Sequence, residues 1–213
     1  MQKAIIIGAG TYGQVYAEYL KATYNIIGYI DDNEKLIGNT FNGIEVLGNR
    51  VFLFQNIDKN VAVFVPIGSN NVRIELLQKL NDSEFYTPSF IHPHTYIHDS
   101  VKIGKAVYIL PETNIMPCTI LQDYVMVSMG VNIAHHNLIE GGCFFSQGSN
   151  VGASIHIQTK AYMGISSTIM TGVKSVGKNT LIGAGAVVTK DIPDNAIVVG
   201  IPAKILRYKE SEQ

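Results

Sequence analysis

The sequence predicts a small α/β domain with a parallel sheet, followed by a parallel β-helix. Three observations carry this. Every sixth residue from Ile97 to Ile169 is apolar without a miss: Ile97, Ile103, Ile109, Ile115, Leu121, Val127, Ile133, Ile139, Phe145, Val151, Ile157, Met163 and Ile169. A second slot, four residues after each of these, is small or β-branched at Val101, Val107, Thr113, Thr119, Val125, Val131, Cys143, Ser149, Ala161 and Ser167, while Asn137 and Ile155 fit it less well. Ahead of the repeat, apolar runs of strand character alternate with helical stretches and glycine-rich turns. A hexapeptide repeat winds a chain into a prism with one short strand per hexapeptide. Strand–helix–strand order with apolar strands gives a parallel sheet.

Taken in order, Lys3–Ile7 is an apolar strand that runs into Gly8-Ala-Gly-Thr-Tyr-Gly13 and a helix from Tyr12 to about Ala22. Ile26–Ile30 is a second strand, closed by Asp31 and Asp32. Val61–Ile67 is a third, followed by Gly68-Ser-Asn-Asn and a helix from Val72 to Leu80, with Ser69 or Asn70 placed to cap it. The chain divides near residues 88–96, giving a Rossmann-like domain over 1–90 and the repeat with its tail over 91–213. The repeat slips by one residue at Ser175 and resumes as Val176, Ile182 and Val188. Three hexapeptides close one turn, so the repeat supplies about five turns. Residues 18 apart then stack, and Asn114, Asn132 and Asn150 are placed for an amide ladder. The α/β domain and the tail from Ile192 are the expected caps on the open ends of the stack.

Composition narrows the class. The 213 residues are 46% hydrophobic, enough for a packed core, and a net charge of -1 gives no electrostatic reason to expect nucleic acid or an anionic membrane. Two cysteines, Cys118 and Cys143, make no disulfide framework. No run approaches the roughly 20 apolar residues of a membrane span, and the start MQKAIIIGAG has too short an apolar run for a signal peptide. The expectation is a soluble, cytoplasmic protein.

Two places carry chemistry. Gly8-x-Gly10-x-x-Gly13 follows a strand and opens a helix, where backbone N–H groups and the helix dipole receive a phosphate. Asp31 and Asp32, ending the next strand, are placed to bond ribose or sugar hydroxyls. Only some 90 residues precede the repeat, too few for both halves of a dinucleotide fold, so a mononucleotide or nucleotide-sugar fits better than NAD. The alternative is a tight turn with no ligand. His135 and His136 fall in the outward half of their hexapeptide, between Ile133 and Ile139. Histidine titrates near neutral pH and suits a general base; the alternative is a pair of solvated histidines at a corner. No metal is expected there, since no further ligand has suitable spacing. His92, His94 and His98 cluster at the domain junction, where His92-Pro93 reads as a turn. Lys204 is a candidate phosphate contact, and Arg207 reads as a solvated charge on the tail.

The repeat and the closing GAGAVVTKDIP…VVGIPAKIL resemble the left-handed β-helix acyltransferases. With IIIGAGTYGQV, IIGYIDD, IGSNNVR, SFIHP and the histidine of NIAHHNLIE, in that order over nearly the whole chain, the resemblance is to the NeuD/PglD-type sugar acetyltransferases. It implies a left-handed β-helix and a homotrimer, with acetyl-CoA as acyl donor in the groove between prisms and no metal. It also implies a nucleotide-sugar, often UDP-linked, on the N-terminal domain, and His135 as the base. By position, Phe144, Ile165 and Gly183 would line the CoA groove, with Lys204 near it. Gly10, Thr11, Tyr12, Asp31 and Asp32 would meet the nucleotide-sugar, with Gly68, Asn70 and Arg73 as further candidates. The chain departs from the family in three places. His136 and Ala134 stand where acids usually flank the histidine, Phe144 stands where a second histidine can stand, and Ser128 replaces a common asparagine.

The leading expectation is therefore acyl transfer from acetyl-CoA to an amine or hydroxyl of a nucleotide-activated sugar. His136 either shares the role of His135 or leaves it to find another partner. Two other readings compete. One is a non-catalytic nucleotide-sugar-binding or scaffold protein on the same fold. The other is an acetyltransferase for a small acceptor without a nucleotide.

Overall fold

The computed structural model describes residues 1–210, which form two compact units with the break after Pro88. In the first unit, β1 (Gln2–Ile7) is an interior strand, with its last four residues buried. β2 (Tyr24–Ile30) and β5 (Ala62–Phe64) flank it in parallel; β4 (Ile44–Gly48) extends the β2 side in parallel, and β3 (Thr40–Phe41) closes that edge antiparallel. The helices are α1 (Thr11–Leu20), α2 (Arg50–Asn56) and α3 (Asn70–Asp82). Gly13 lets α1 start close to the loop, because a Cβ there would collide with the Gly8 carbonyl oxygen.

Several boundaries differ from the sequence expectation. The third strand is shorter than Val61–Ile67: Pro66 has no donor to give a ladder, and Ile67 N–H folds back to Val65 at 2.8 Å. Ser69 does occupy the cap position of α3, but its side chain makes no cap bond. The stretch 40–56 carries the hairpin β3–β4 and helix α2, none of them expected. Its signal is short-range: Asn49 caps α2 by accepting from Phe52 N–H at 3.1 Å.

The second unit is a prism with three sheets, here called faces. Face one stacks Tyr96–Ile97, Asn114–Ile115, Asn132–Ile133, Asn150–Val151, Thr168–Ile169 and Val187–Val188. Face two stacks Lys102–Ile103, Ile120–Leu121, Leu138–Ile139, His156–Ile157 and Ser175–Val176. Face three runs from Phe90–Ile91 through Tyr108–Ile109, Met126–Val127, Phe144–Phe145, Tyr162–Met163 and Leu181–Ile182 to the tail strands Ala196–Val199 and Lys204–Tyr208. All pairings are parallel until the last, antiparallel one. This is the left-handed β-helix that the resemblance implies.

The second residue of each two-residue strand points inward, and these residues make the core with the small-slot residues behind them. The amide ladder is present: Asn114 Nδ2 donates to Asn132 Oδ1 and Asn132 Nδ2 to Asn150 Oδ1, each at 3.0 Å. The one-residue slip is also visible. His156 pairs with Ser175 and Ile157 with Val176, one residue beyond the usual spacing, and the surplus sits in the turn holding Gly172 at φ 105°.

Phe145 is fully buried in this core. Phe145→Ala is expected to cost about 3–5 kcal/mol in urea-melt stability, and a loss under about 1 kcal/mol would contradict the packing described.

Candidate active site

His135 and His136 lie on the edge between face one and face two, in the turn joining Asn132–Ile133 to Leu138–Ile139. The turn is held from both sides. His136 N–H donates to Pro117 O at 3.1 Å, and Ser154 N–H donates to His135 O at 3.0 Å. His136 sits in the left-handed region at φ 58°, as do Cys118 at 62° and Ser154 at 60° on the neighbouring turns. The edge demands that conformation once per turn, and histidine is among the side chains that tolerate it better than most.

Asn137 is the residue that the sequence reading undervalued. It fills the small slot and is buried. Its Nδ2 donates to Ala134 O at 2.6 Å, its Oδ1 accepts from Ile155 N–H at 2.8 Å, and its own N–H donates to Thr119 Oγ1 at 3.3 Å. Thr119 Oγ1 also donates to Ala134 O at 2.8 Å. An internal bracket thus fixes both ends of the histidine turn, while both rings stay exposed. The two Nδ1 atoms are 3.0 Å apart, with the rings at 89°. Among the described residues no carboxylate bonds to either ring.

Face one carries a groove of about 370 Å³ lined by the asparagine ladder and by Met116, Ala134, Gly152 and Met170. Ala134 places the groove directly beside His135. The candidate CoA residues lie elsewhere on the prism. Phe144 is on face three, nearly buried and stacked on Tyr162 at 5.0 Å with the ring planes 5° apart. Ile165, exposed, and Gly183 are in the edge between face three and face one. A Cβ at Gly183 would lie 2.8 Å from Val199 Cγ1, so the tail strand needs glycine there. Lys204 begins the last tail strand, Lys204–Tyr208, and is exposed. None of the four is on the edge that carries His135: Ile165 and Gly183 are on the edge at the other side of face one, and Phe144 and Lys204 are on face three.

A second imidazole sits on face two. His156 Nε2 lies 2.6 Å from Glu140 Oε1. Glu140 Oε2 accepts from Thr159 N–H at 2.9 Å and Thr159 Oγ1 at 2.6 Å. Burial alone would raise the Glu140 carboxyl, but the bonds from Thr159 and His156 outweigh it and hold the group below its usual range. His92 and His98 use ring nitrogens locally: His92 Nδ1 accepts from His94 N–H at 3.1 Å, and His98 Nδ1 accepts from Ser100 N–H at 3.2 Å. Burial, with His94 beside it, lowers the His92 imidazole.

In the first unit, a cavity of about 250 Å³ opens at the carboxyl ends of β1, β2 and β5. It is lined by Gly8, Asp31, Asp32, Arg50, Ile67 and Glu75, among others. This is the crevice where the chain crosses from one side of β1 to the other, the usual ligand position in open α/β sheets. Both acids are already engaged. Asp31 Oδ2 accepts from Ala9 N–H and Oδ1 from Asn33 N–H, each at 2.9 Å. Asp32 caps α2 by accepting from Arg50 N–H at 3.1 Å and pairs with Arg50 Nε at 2.5 Å. Asp31 therefore occupies one of the loop N–H groups expected to face a phosphate. Gly10 is exposed with open space around it, and Thr11 and Tyr12 follow in the first turn of α1.

Of the other expected contacts, Gly68 is exposed, and Asn70 begins α3. Arg73 is fully buried, its guanidinium donating to Ile67 O and Asn70 Oδ1 at 2.8 Å each, so it frames the loop. Arg50 is the cation in the cavity that sequence reasoning missed, because the helix it begins was not recognised.

Known proteins match this arrangement. The family model for the PglD N-terminal domain matches residues 3–80. SACOL2570 of Staphylococcus aureus (strain COL), named as an acetyltransferase, is 30% identical over 156 residues, covering 68% of this chain and 73% of that protein. The chain belongs to the NeuD/PglD-type sugar acetyltransferases. This hexapeptide-repeat family accounts for both units. The acetyltransferase domain of PglB from Neisseria gonorrhoeae FA1090 superposes with TM-score 0.90 at 28% identity, over 97% of this chain and all of that one. PerB from Caulobacter crescentus, solved with CoA and GDP-perosamine, gives TM-score 0.89 at 26% identity over 96% of this chain and 97% of that one. Among the curated relatives, the stretch matched ranges from 32% to 73% of the relative's own length. No helix among the described residues is long and apolar enough to cross a membrane.

Two outcomes follow for this acetyltransferase scaffold. Asn137→Val removes the partner of Ile155 N–H and one of the two donors to Ala134 O, and is expected to cost about 2 kcal/mol in chemical denaturation; an unchanged midpoint would contradict the bracket. Because the Glu140 carboxyl is lowered in the folded state, its stabilisation is present above the unfolded value and is lost as pH falls through the folded one. Glu140→Gln should melt below the parent protein at neutral pH, with the gap closing from about pH 5 downward. A gap of equal size at all pH values would contradict this.

Proposed function

We propose that this chain transfers an acetyl group from acetyl-CoA to an amine or hydroxyl of a nucleotide-linked sugar in glycan-precursor synthesis in the cytoplasm, with His135 as general base. The observation that carries the reading is an exposed imidazole on a turn braced from inside by Asn137 and from both neighbouring turns, directly beside a groove. His135 takes the proton of the attacking nitrogen or oxygen as that atom adds to the thioester carbonyl. A backbone N–H stabilises the tetrahedral oxyanion. The carbon–sulfur bond then breaks, and the thiolate recovers the proton.

The separation of His135 from Phe144, Ile165, Gly183 and Lys204 supports a homotrimer in which the base of one prism works with the CoA-binding edge of the next. In the first unit, the open backbone at Gly10, the start of α1 and the Arg50 guanidinium suit a diphosphate. Asp31 and Asp32 keep lone pairs for sugar or ribose hydroxyls. PerB, with its GDP-perosamine, makes an amino sugar on a nucleoside diphosphate the first acceptor to try.

A thiol-release screen with acetyl-CoA against UDP-, dTDP-, GDP- and CMP-linked amino sugars tests the reaction. His135→Ala should lower kcat by about 10² to 10⁴, and full turnover by that variant would remove His135 as the base. Arg50→Ala should raise KM for the nucleotide-sugar about tenfold with kcat nearly unchanged, the mark of lost ground-state binding. An unaltered KM would take Arg50 out of the site.

One observation favours a second reading, a non-catalytic nucleotide-sugar-binding protein: no carboxylate supports His135 among the described residues. Titration calorimetry separates the two, since that reading requires nucleotide-sugar binding without CoA binding.

A further inference from the structure

The His135–His136 contact restricts where protons can sit. Two imidazole nitrogens 3.0 Å apart attract only if one carries a proton and the other a lone pair; two lone pairs or two N–H groups repel. The ring that donates from Nδ1 has a bare Nε2. The ring that accepts at Nδ1 carries its own proton on Nε2. While both rings are neutral, the pair therefore presents one basic nitrogen to solvent, the Nε2 of the donor. Of the two rings, His135 follows Ala134, which lines the groove on face one, while His136 is the next residue toward face two.

We propose that His136 is a positioning residue: as a neutral imidazole it accepts the Nδ1–H of His135 and so holds the Nε2 of His135 unprotonated toward the groove. When that Nε2 takes the proton of the acceptor, His135 becomes an imidazolium whose Nδ1–H is already bonded, and His136 spreads its positive charge. The proton leaves again from Nε2 to the thiolate of CoA as the carbon–sulfur bond breaks, so both rings end as they began. Neither ring makes another hydrogen bond among the described residues. The turn on one side brings Cys118, exposed and in register with His136, and the turn on the other brings Ser154. His136 is fixed for this part by its left-handed backbone and by the bond of its N–H to Pro117 O. The catalytic half of the proposal rests on the acyl-transfer reading; the tautomer half does not.

The test begins with long-range ¹⁵N–¹H correlation spectra of the full chain at a pH where both rings are neutral. The expected pattern is Nδ1–H with bare Nε2 for His135, and Nε2–H for His136. His136→Ala should return His135 to the Nε2–H form that free imidazole side chains prefer. In the thiol-release assay it should lower kcat roughly ten- to a hundred-fold with KM for both substrates within about twofold. His136→Asn tolerates the left-handed backbone and offers an accepting Oδ1, and should restore the Nδ1–H tautomer and most of the rate. A thermal melt of each variant confirms folding. Nε2–H on His135 in the parent protein overturns the proposal, as does a His136→Ala variant with unchanged kcat. Should no acceptor support turnover, the acyl-transfer reading fails while the spectra still decide the tautomer.

Discussion

The constraint on which the β-helix depends is the parallel backbone ladder between turns. Each strand is two residues long, too short to be stable alone, and exists because the same position one turn away pairs with it. Asn132 N–H reaches Ser149 O at 3.1 Å, and Ala134 N–H reaches Val151 O at 2.9 Å. That ladder forces each inward side chain onto the one below, so a single apolar column per face becomes the core. It also dictates the edges. Each corner must bend the chain from one face to the next within four residues, and on this edge one of those residues takes the left-handed conformation, which is why Cys118, His136 and Ser154 share it. An extra residue has no place in a strand and is accommodated only in a turn, as at Gly172. The histidine turn inherits its rigidity from this arrangement.

Legibility followed the same physics. The repeat could be read because one interaction, inward packing at a fixed spacing, recurs many times, and noise at any single position does not hide it. Even the slip after Ile169 was visible, since one residue moves every later position. In the first unit β1, α1 and α3 were readable from apolar runs followed by glycine-rich turns. The hairpin β3–β4 and helix α2 were not, because their strands are two and five residues and α2 buries little beyond Leu53. Arg50 was hidden with them. At the site, motif spacing named His135 but gave no account of Asn137. A polar residue in an apolar slot reads as a poor fit until its partners are seen; here its side chain joins Ala134 O on its own turn to Ile155 N–H on the next.

Carboxylates elsewhere in the prism are spent on edges. Asp123 accepts from Lys105 N–H at 2.7 Å, Asp191 from Lys174 N–H at 2.7 Å and Asp194 from Lys178 N–H at 3.0 Å. Glu140 does the same for Thr159 and adds the bond to His156. These acids fasten one turn to the next where a backbone donor lacks a ladder partner. The turn at His135 is fastened without one. Asn137 from inside and the main chain on both sides do the work, so the exposed positions are left to the two imidazoles.

That division has a cost and a benefit in the same bond. A carboxylate beside an imidazole favours its protonated form by direct charge attraction, and a neutral imidazole cannot match that. A second imidazole can still fix a tautomer, since that needs only a lone pair in the right place. The catalytic consequence turns on which effect limits the reaction. If stabilising the imidazolium limits it, this edge is a weaker base site than one with an acid. If orientation limits it, a lone pair held 3.0 Å away on a backbone fixed at both ends supplies what an acid would. The rigidity of this turn argues for the second case, because bracing from inside and from both sides is spent on geometry, and no described charge is spent on the histidines at all.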